Sequence, residues 1–530
     1  MDSTISKGLR PGRLTLWKGI MIVILGMGLY ATVVRFAGGL GAATHLSDAF
    51  PWGLWIGFDV LVGVGLAAGG FVVAATVHVF RLDRYESIAR PTVLTAFLGY
   101  LLVVVALLFD LGRPYRLWHP LVMWNPHSVM FEVAWCVMLY TAVLALEFSP
   151  LLFERLKLEK PLRIVRAIYV PLVIVGVLLS TLHQSSLGTL YVIAPDKLHG
   201  LWYTPMLPVF FFVTAIAVGL AMTVFESFMS FRAFGKRLES SLLQGLARVM
   251  VLVLGVYLAV KVQDLAMRGN LALAFALTPE SVLFWGEIGL GAILPMALLS
   301  VPRIRRNENW LFFASMLTIM GFIVNRLNVA ITGMAASSGV AYLPSWMEFA
   351  VTASIVAVGF FIFGLAVKYL PVFPEVALAS GEGVEPLPHA TPVYHWGVLV
   401  GLWGALILGI VAVGYTMARQ EPDETTAPGA VTAPPPVVRP ELAGLPPEFE
   451  FETSTDSPGA VVFRHESHVD AQRPDCAVCH ETLFKITASG TPTEGDWTYE
   501  RIHEGDLCAS CHDGNRAFGV DEDCTFCHAM

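Results

Sequence analysis

The sequence predicts an all-α polytopic membrane protein of about eleven transmembrane helices, followed by a small separate tail domain. Three observations predict it. Of 530 residues, 55% are hydrophobic and 14% charged, and the mean hydropathy of +0.64 is too apolar for an ordinary soluble enzyme. Apolar stretches of roughly 20 residues, the length that crosses a hydrocarbon core of about 30 Å, recur along most of the chain. After the last of them the composition changes abruptly: an acidic, Pro-rich run leads into a segment that holds six of the seven cysteines.

The apolar stretches cover 16–36, 53–80, 92–110, 128–150, 167–187, 203–230, 244–266, 281–300, 310–331, 347–370 and 395–417. Lys7, Arg10 and Arg13 before the first give it the look of a signal peptide, but no small-x-small cleavage site follows, so an uncleaved first helix is expected. Basic residues then set the orientation, because cytoplasmic loops are richer in Lys and Arg. One set of alternate loops carries runs such as Arg81, Arg84 and Arg90, Arg155 to Arg166, and Arg303 to Arg306; the other carries only Arg35, Arg113, Arg116, Lys197 and Arg268. The N-terminus is therefore expected in the cytoplasm, and an odd number of spans puts the C-terminus outside. The net charge of −8 shows no basic stripe, which excludes a nucleic-acid-binding class.

The chain repeats itself weakly. "FDLGR" (Phe109 to Arg113) followed by "SVMFE" from Ser128 matches "QDLAMR" (Gln263 to Arg268) followed by "SVLFW" from Ser281, and a Ser-Ser pair at Ser185 returns at Ser337. These offsets of 152 to 154 residues amount to four helices. Four spans restore the starting direction, so the pattern reads as a parallel duplication, with spans 2 to 5 and 6 to 9 as the copies.

The tail contains the same spacing three times: Cys476-x-x-Cys479-His480, Cys508-x-x-Cys511-His512 and Cys524-x-x-Cys527-His528. In C-x-x-C-H the two thiols form thioethers to haem vinyl groups and the adjacent imidazole ligates the iron. A zinc knuckle also uses C-x-x-C pairs, but it does not account for a histidine directly after every second cysteine. Three irons with two axial ligands each need six histidines, and the tail has six: the motif histidines plus His465, His468 and His503. Such c-type haems are attached outside the bacterial cytoplasmic membrane, where charge asymmetry had already put the tail. So short a segment has few aliphatic residues to bury, so the haems themselves would form its core. The seventh cysteine, Cys136, lies in an apolar run and reads as a small buried residue. The expected domains are a membrane domain at 1–375, an added span within 376–417, a Pro-rich linker at 418–457 and a periplasmic three-haem domain at 458–530.

"FRHESH" and "IHEGDLCASCH" resemble the class III multihaem cytochromes, in particular the three-haem relatives of cytochrome c3. The resemblance implies bis-His irons, with His465 on the first haem, His468 on the second and His503 on the third.

Ionisable groups inside a membrane are costly and usually mark a pathway or a site. The candidates are Asp59, His78, Asp110, Glu132, His183, Glu226, Lys261, Asp264, Glu287, Arg326 and Glu348. An Asp110–Arg113 ion pair would seal the end of the third span, His78 would be a solvated helix-end residue, and Glu132 and His183 would lie deeper. A b-type haem needs facing histidine pairs, whereas His78 and His183 fall towards opposite membrane faces.

"PWGLWIGFDVLVGVGLAAGGF" (Pro51 to Phe71), "FDLGRPYRLWHPLVMWNPHSVMFE" (Phe109 to Glu132), "TLHQSSLGTLYVIAPDKLHGLWYTP" (Thr181 to Pro205) and "EFAVTASIVAVG" (Glu348 to Gly359) resemble the NrfD/PsrC/HybB family of quinone-interacting membrane subunits, above all its HybB branch. The resemblance covers about residues 10 to 375. It implies two four-helix bundles, no cofactor in the membrane, a quinone site near the outer face of the first bundle, a proton path through Glu132 and a periplasmic iron-sulfur subunit docked outside. A quinone pocket needs an apolar slot for ring and tail, plus donors that bind the carbonyl oxygens and exchange protons. Trp55, Asp59, His183 and Gln184 would line that slot, with Glu132 and Asp110 as proton carriers. The eleventh span and the haem tail depart from the usual family member; they either replace its electron partner or extend the chain to another cytochrome.

The sequence therefore reads as an inner-membrane subunit that exchanges electrons between the quinone pool, menaquinone by the resemblance, and periplasmic carriers through three c-type haems. Expected partners are a ferredoxin-like iron-sulfur subunit, cytochromes, and a NiFe hydrogenase or molybdopterin subunit. The rival readings are a membrane anchor without quinone chemistry, and a transporter, which leaves the haem tail unexplained.

Overall fold

A computed structural model describes residues 16–234, 238–340 and 342–373, with short pieces at 449–451, 460–463 and 528–529. The expected eleventh span at 395–417 and all six haem cysteines lie outside the described residues, as do the candidate iron ligands apart from the backbone of His528.

Ten helices among the described residues are long and apolar enough to cross a membrane: α1 (Gly19–Gly38), α2 (Trp55–Val79), α3 (Asp83–Asp110), α4 (Val129–Leu156), α5 (Tyr169–Val192), α6 (Leu207–Phe234), α7 (Ser240–Met267), α8 (Pro279–Ser300), α9 (Glu308–Ala335) and α10 (Trp346–Tyr369). Each coincides with an expected stretch. The largest difference is at α3, whose helix starts nine residues before 92, because the charged run Asp83 to Arg90 winds as its first turns and places Pro91 near the start. A proline there breaks few helical bonds.

Packing divides the helices as the repeat suggests. Helices α2 to α5 close a ring in the order 2-3-4-5, α6 to α9 close a second, and the two meet where α5 lies against α6 and α2 against both α6 and α9. At that seam the backbones touch: a side chain on Gly219 would meet the Ala68 carbonyl carbon at 3.0 Å. Inside the second bundle the contact is closer still, since a Cβ on Gly321 would sit 2.2 Å from the Gly291 Cα. Small residues of this kind let membrane helices approach, where no hydrophobic gradient drives them together. Among the seam helices α2 and α9 are the most buried, each with 78% of its apolar window covered, against 17% in α1. Helices α1 and α10 pack along each other outside the bundles and against α3.

The two copies begin their fourth and eighth spans alike. Ser128 caps α4 by accepting from the Phe131 amide, and Thr278 caps α8 by accepting from the Ser281 amide. Trp135 and Trp285, each seven residues beyond its cap, donate to the Pro120 and Ala274 carbonyls at 2.9 and 2.8 Å. The matched position is thus Thr278, three residues before the Ser281 expected from the sequence.

Three spans contain π-helical winding: Trp55–Val62 and Ala75–Val79 in α2, Gly286–Ile293 in α8, and Asn328–Thr332 in α9. Such widened turns recur at functional sites, and here they carry Asp59 and Glu287.

The chain divides into two compact units, Met1–Gln420 and Glu421–Met530. The second contains a three-stranded antiparallel sheet of β1 (Phe449–Phe451), β2 (Ala460–Phe463) and β3 (His528–Ala529). Strand β1 lies in the stretch read as linker and pairs with β2, Phe449 opposite Phe463.

Candidate functional site

At the predicted outer end of the first bundle, residues from α1, α2, α3 and α10 converge. The π-helical opening of α2 brings Trp55 and Asp59 inwards, and both are buried. Asp59 accepts from the Thr352 hydroxyl of α10 at 2.9 Å. The Trp55 indole donates to the Glu348 carbonyl at 3.2 Å and meets the Phe109 ring edge-on. Arg35, reaching from α1, is buried and donates to the Phe109 and Leu111 carbonyls at 2.6 and 2.7 Å, on either side of Asp110. Those are terminal carbonyls of α3, which lack partners within the helix. Asp110 is within electrostatic reach of Arg35, Glu348 and Asp59.

Glu348 is fully buried and fully used. Its side chain accepts from the Ser345 amide at 3.0 Å, completing a capping box, from the His45 amide at 3.1 Å, and from the Tyr342 hydroxyl. Tyr342, in the loop before α10, itself accepts from the Leu54 amide at 2.8 Å. Burial and the neighbouring Glu348 charge push its phenol well up, so it remains a donor.

The expected Asp110–Arg113 pair is not among the ion pairs of the described residues; Arg35 occupies that helix end instead. The matching pair in the second copy does form, Arg268 to Asp264 at 2.7 Å.

His183 and Gln184 form a second, deeper group. His183 is fully buried on α5, its ring centroid 5.7 Å from that of Tyr100, which meets Tyr140 edge-on at 4.7 Å. Gln184 donates to the Val64 carbonyl at 3.2 Å, next to the interruption of α2 at Ala67 and Ala68. The Ser180 hydroxyl lies close to both phenols but outside full hydrogen-bonding geometry. Both His183 nitrogens, both tyrosine hydroxyls, Ser180 Oγ and Gln184 Oε1 have no hydrogen-bond partner among the described residues. Buried polar atoms left this way are costly unless a water or a bound molecule satisfies them. The ten residues of α3 between Tyr100 and Asp110 span about 15 Å. Trp55 and Asp59 are therefore in one group, and His183 and Gln184 in another.

Glu132 differs from its expected depth. Because Ser128 caps α4, Glu132 falls in the first turn of that helix and is exposed. Cys136, one turn on, is free and buried, as expected. His78 stands at the far end of α2, edge-on to Tyr169.

The second bundle contrasts with the first. Glu287 accepts four hydrogen bonds: from Trp202 at 2.9 Å, Tyr257 at 3.2 Å, Asn325 at 2.7 Å and Asn328 at 3.0 Å. Arg326 lies between the Phe211 and Phe322 rings, 3.6 and 4.4 Å from their centroids, and donates to Asn325, Phe211 and Thr214. Lys261 donates to the Leu201 carbonyl at 2.9 Å. With four donors Glu287 is held in one arrangement, although Arg326 Nε and Glu226 Oε1 of the same bundle have no hydrogen-bond partner among the described residues.

The decisive comparison is with protein families: residues 43–337 match the family described as polysulphide reductase, NrfD. The chain belongs to the NrfD family. Within this NrfD-family chain the tail matches a second family, cytochrome c7 and related cytochrome c, over residues 461–529. The chain is 34% identical to the probable Ni/Fe-hydrogenase 2 b-type cytochrome subunit of Escherichia coli K12 over 68% of its own length and 92% of the relative's. It is 30% identical to the menaquinone reductase integral membrane subunit of Nitratidesulfovibrio vulgaris Hildenborough, over 68% and 92%. A further protein of that organism is 40% identical over 67% and 93%. This NrfD-family chain is thus a multi-pass membrane protein joined to a cytochrome c7-type domain.

The sequence reading named Trp55, Asp59 and Asp110 but not the residues that hold them: Arg35 entered only as an orientation charge, and Thr352 and Tyr342 not at all. A signal for Glu348 was present, since Ser345-x-x-Glu348 before an apolar run is a capping box. Thr352 had none.

Proposed function

We propose that this chain exchanges electrons between the membrane quinone pool, menaquinone in particular, and periplasmic carriers by way of three c-type haems on its tail. The observation that carries the reading is the union, in one chain, of an NrfD-family membrane domain and a cytochrome c7-type domain. The relative named as a menaquinone reductase subunit supports the choice of quinone. The three C-x-x-C-H motifs and the other three tail histidines have the donor chemistry for three bis-His haems, which would carry single electrons and leave no open iron position.

A quinol gives up two electrons and two protons, so a site that oxidises it needs acceptors for both. In the outer group Asp59 and Asp110 take protons, Thr352 and Arg35 fix those carboxyls, and Trp55 forms an apolar wall. His183 and Gln184 offer further polar atoms below. Glu132, at the exposed start of α4, exchanges protons with the surrounding solution. With the N-terminus in the cytoplasm and the tail in the periplasm of an inner membrane, electrons leave the bilayer on the side where an iron-sulfur subunit, a cytochrome, or a hydrogenase or molybdopterin partner can take them. The hydrogenase-named relative keeps a second reading in view, an anchor with no quinone chemistry of its own.

The test is anaerobic visible spectroscopy of the purified full chain, oxidised and then given a menaquinol analogue, in wild type and Glu132→Gln. Rapid c-type reduction in wild type, slowed in the variant, is the expected result. Haems that stay oxidised with menaquinol yet are reduced by dithionite would favour the anchor reading.

A further inference from the structure

Between α1, α3 and α10 runs an apolar groove of about 620 Å³. One stripe of each helix lines it: Leu98, Leu101, Leu102, Val105 and Phe109 on α3 follow the i, i+3, i+4, i+7 spacing of a single helical face, and Val351 to Ile362 of α10 and Leu25 to Thr32 of α1 face it. The eleven helical steps from Leu98 to Phe109 along α3 give it a length of about 16 Å. Its two hydroxyls are turned away onto backbone, Thr32 to the Gly28 carbonyl at 2.7 Å and Ser354 to the Ile24 carbonyl at 2.9 Å. What the groove presents is therefore hydrocarbon. It opens sideways to the lipid, where Leu29 is 67% and Val105 44% exposed.

The two ends of the groove differ. The inner end is lined by Leu25, Leu98 and Ile362, all apolar. The outer end stops at Phe109, Val351 and Thr32, each adjacent to the buried polar group: Phe109 precedes Asp110, Val351 precedes Thr352, and Thr32 is one helical turn before Arg35. Trp55 closes that end, packed with Ala31, Ala350 and Val351. A molecule that fills this space has a long apolar chain lying against lipid and a head among buried polar side chains. A phospholipid fits poorly, because its charged phosphate would leave the interface for a buried pocket in which two Arg35 nitrogens already serve backbone carbonyls. A prenylated quinone or quinol fits, since its head is neutral and flat, and its oxygens accept hydrogen bonds in the quinone and donate them to carboxylates in the quinol.

We infer that the groove between α1, α3 and α10 is the prenyl-chain site of the quinone, and that it directs the head to Asp59 and Asp110 from the side of α1 and α10. The inference rests on the quinone reading above and adds the route and the tail-binding residues. Helices α1 and α10 thus become part of the substrate site although they lie outside both bundles.

The test uses the full chain in lipid nanodiscs. Val105→Trp and Leu25→Trp fill the groove from opposite walls, and Val256→Trp puts the same bulk on the lipid-facing side of α7 as a control. The expected result is about a tenfold rise in KM for long-chain menaquinol with both groove variants, no change with tail-less menadiol, and no change with the control. Equal effects on both quinols, or none, would overturn the groove. A second measurement does not depend on turnover: a menaquinone with a photoreactive group on its prenyl chain should label peptides of α1, α3 and α10. Labelling of α4 or α5 instead, or labelling by a photoreactive phospholipid that menaquinone does not displace, would also overturn it. Labelling of the groove without any haem reduction would keep this site and sink the proposed electron transfer.

Discussion

At the scale of single residues, Asp59 and His199 make the sharpest predictions. Among the described residues Asp59 accepts a hydrogen bond from Thr352 alone, which follows the groove-lining Val351. Asp59→Asn keeps its size and removes its capacity to take a proton. The expected outcome is a slowing of menaquinol-driven haem reduction on the order of 100-fold, read by stopped-flow absorbance, with dithionite reduction unchanged; a wild-type rate would remove Asp59 from the proton path. His199, in the loop between α5 and α6, accepts from the Leu201 amide at 3.3 Å through a ring nitrogen that must be unprotonated. Burial lowers its pKa, and Glu280 opposes this only partly. The neutral form is thus favoured by folding, so the contribution of His199 is complete above the ordinary value of about 6.5 and is lost as the pH falls from there through the lowered folded value. Thermal unfolding between pH 7 and 5 should show a destabilisation that is smaller in His199→Gln. Residue type alone exposed Asp59, Asp110 and Glu348, because a carboxyl inside an apolar stretch is conspicuous. Their partners were hidden: Thr352 lies 293 positions from Asp59 in sequence, and no local pattern links two helices so far apart. Glu132 shows the opposite failure, since hydropathy marks where a span is but not how deep each side chain of its first turn sits.

At the scale of elements, hydropathy was sufficient to find every described span, because twenty apolar residues have few other uses. It could not show which helices are central. That follows from close approach: α8 and α9 touch at Gly291 and Gly321, where any side chain would meet backbone. Gly321→Ala should therefore cost at least about 1 to 3 kcal/mol by overpacking, seen as a lower unfolding temperature in detergent, whereas Gly364→Ala, with open space around it on α10, should leave that temperature unchanged. If the two variants were equally stable, the α8–α9 contact would not be the constraint described. The π-helical turns in α2 and α8 were also invisible in the sequence, since they arise from how neighbouring helices and buried polar groups draw the backbone open rather than from local propensity.

At the scale of the whole molecule, the duplication has produced two unlike halves. One gathers unpartnered buried polar atoms at His183, Tyr100 and Tyr140, and the other has bound its central Glu287 with four donors, with unpartnered atoms only at Glu226 and Arg326 among its described residues. Unmet polar groups are tolerated where water or substrate completes them, and a closed network is expected where only rigidity is needed. On the function proposed above the chemistry belongs to the first bundle, whose unpartnered atoms cluster around His183, Tyr100 and Tyr140. That division requires the haem tail to lie on the same side as the outer group, so that electrons need not recross the bilayer. Charge asymmetry and an odd number of spans both predict that placement, and the count depends on the expected span at 395–417. Alkaline phosphatase fused after Met530 should be active and a fluorescent protein inserted after Lys157, between α4 and α5, should fluoresce. Removing 395–417 should strand the tail in the cytoplasm, abolishing both phosphatase activity and covalent haem staining. Haem staining that survived that deletion would mean that the tail reaches the periplasm without the eleventh span, and the parity argument for the orientation of the entire chain would fail.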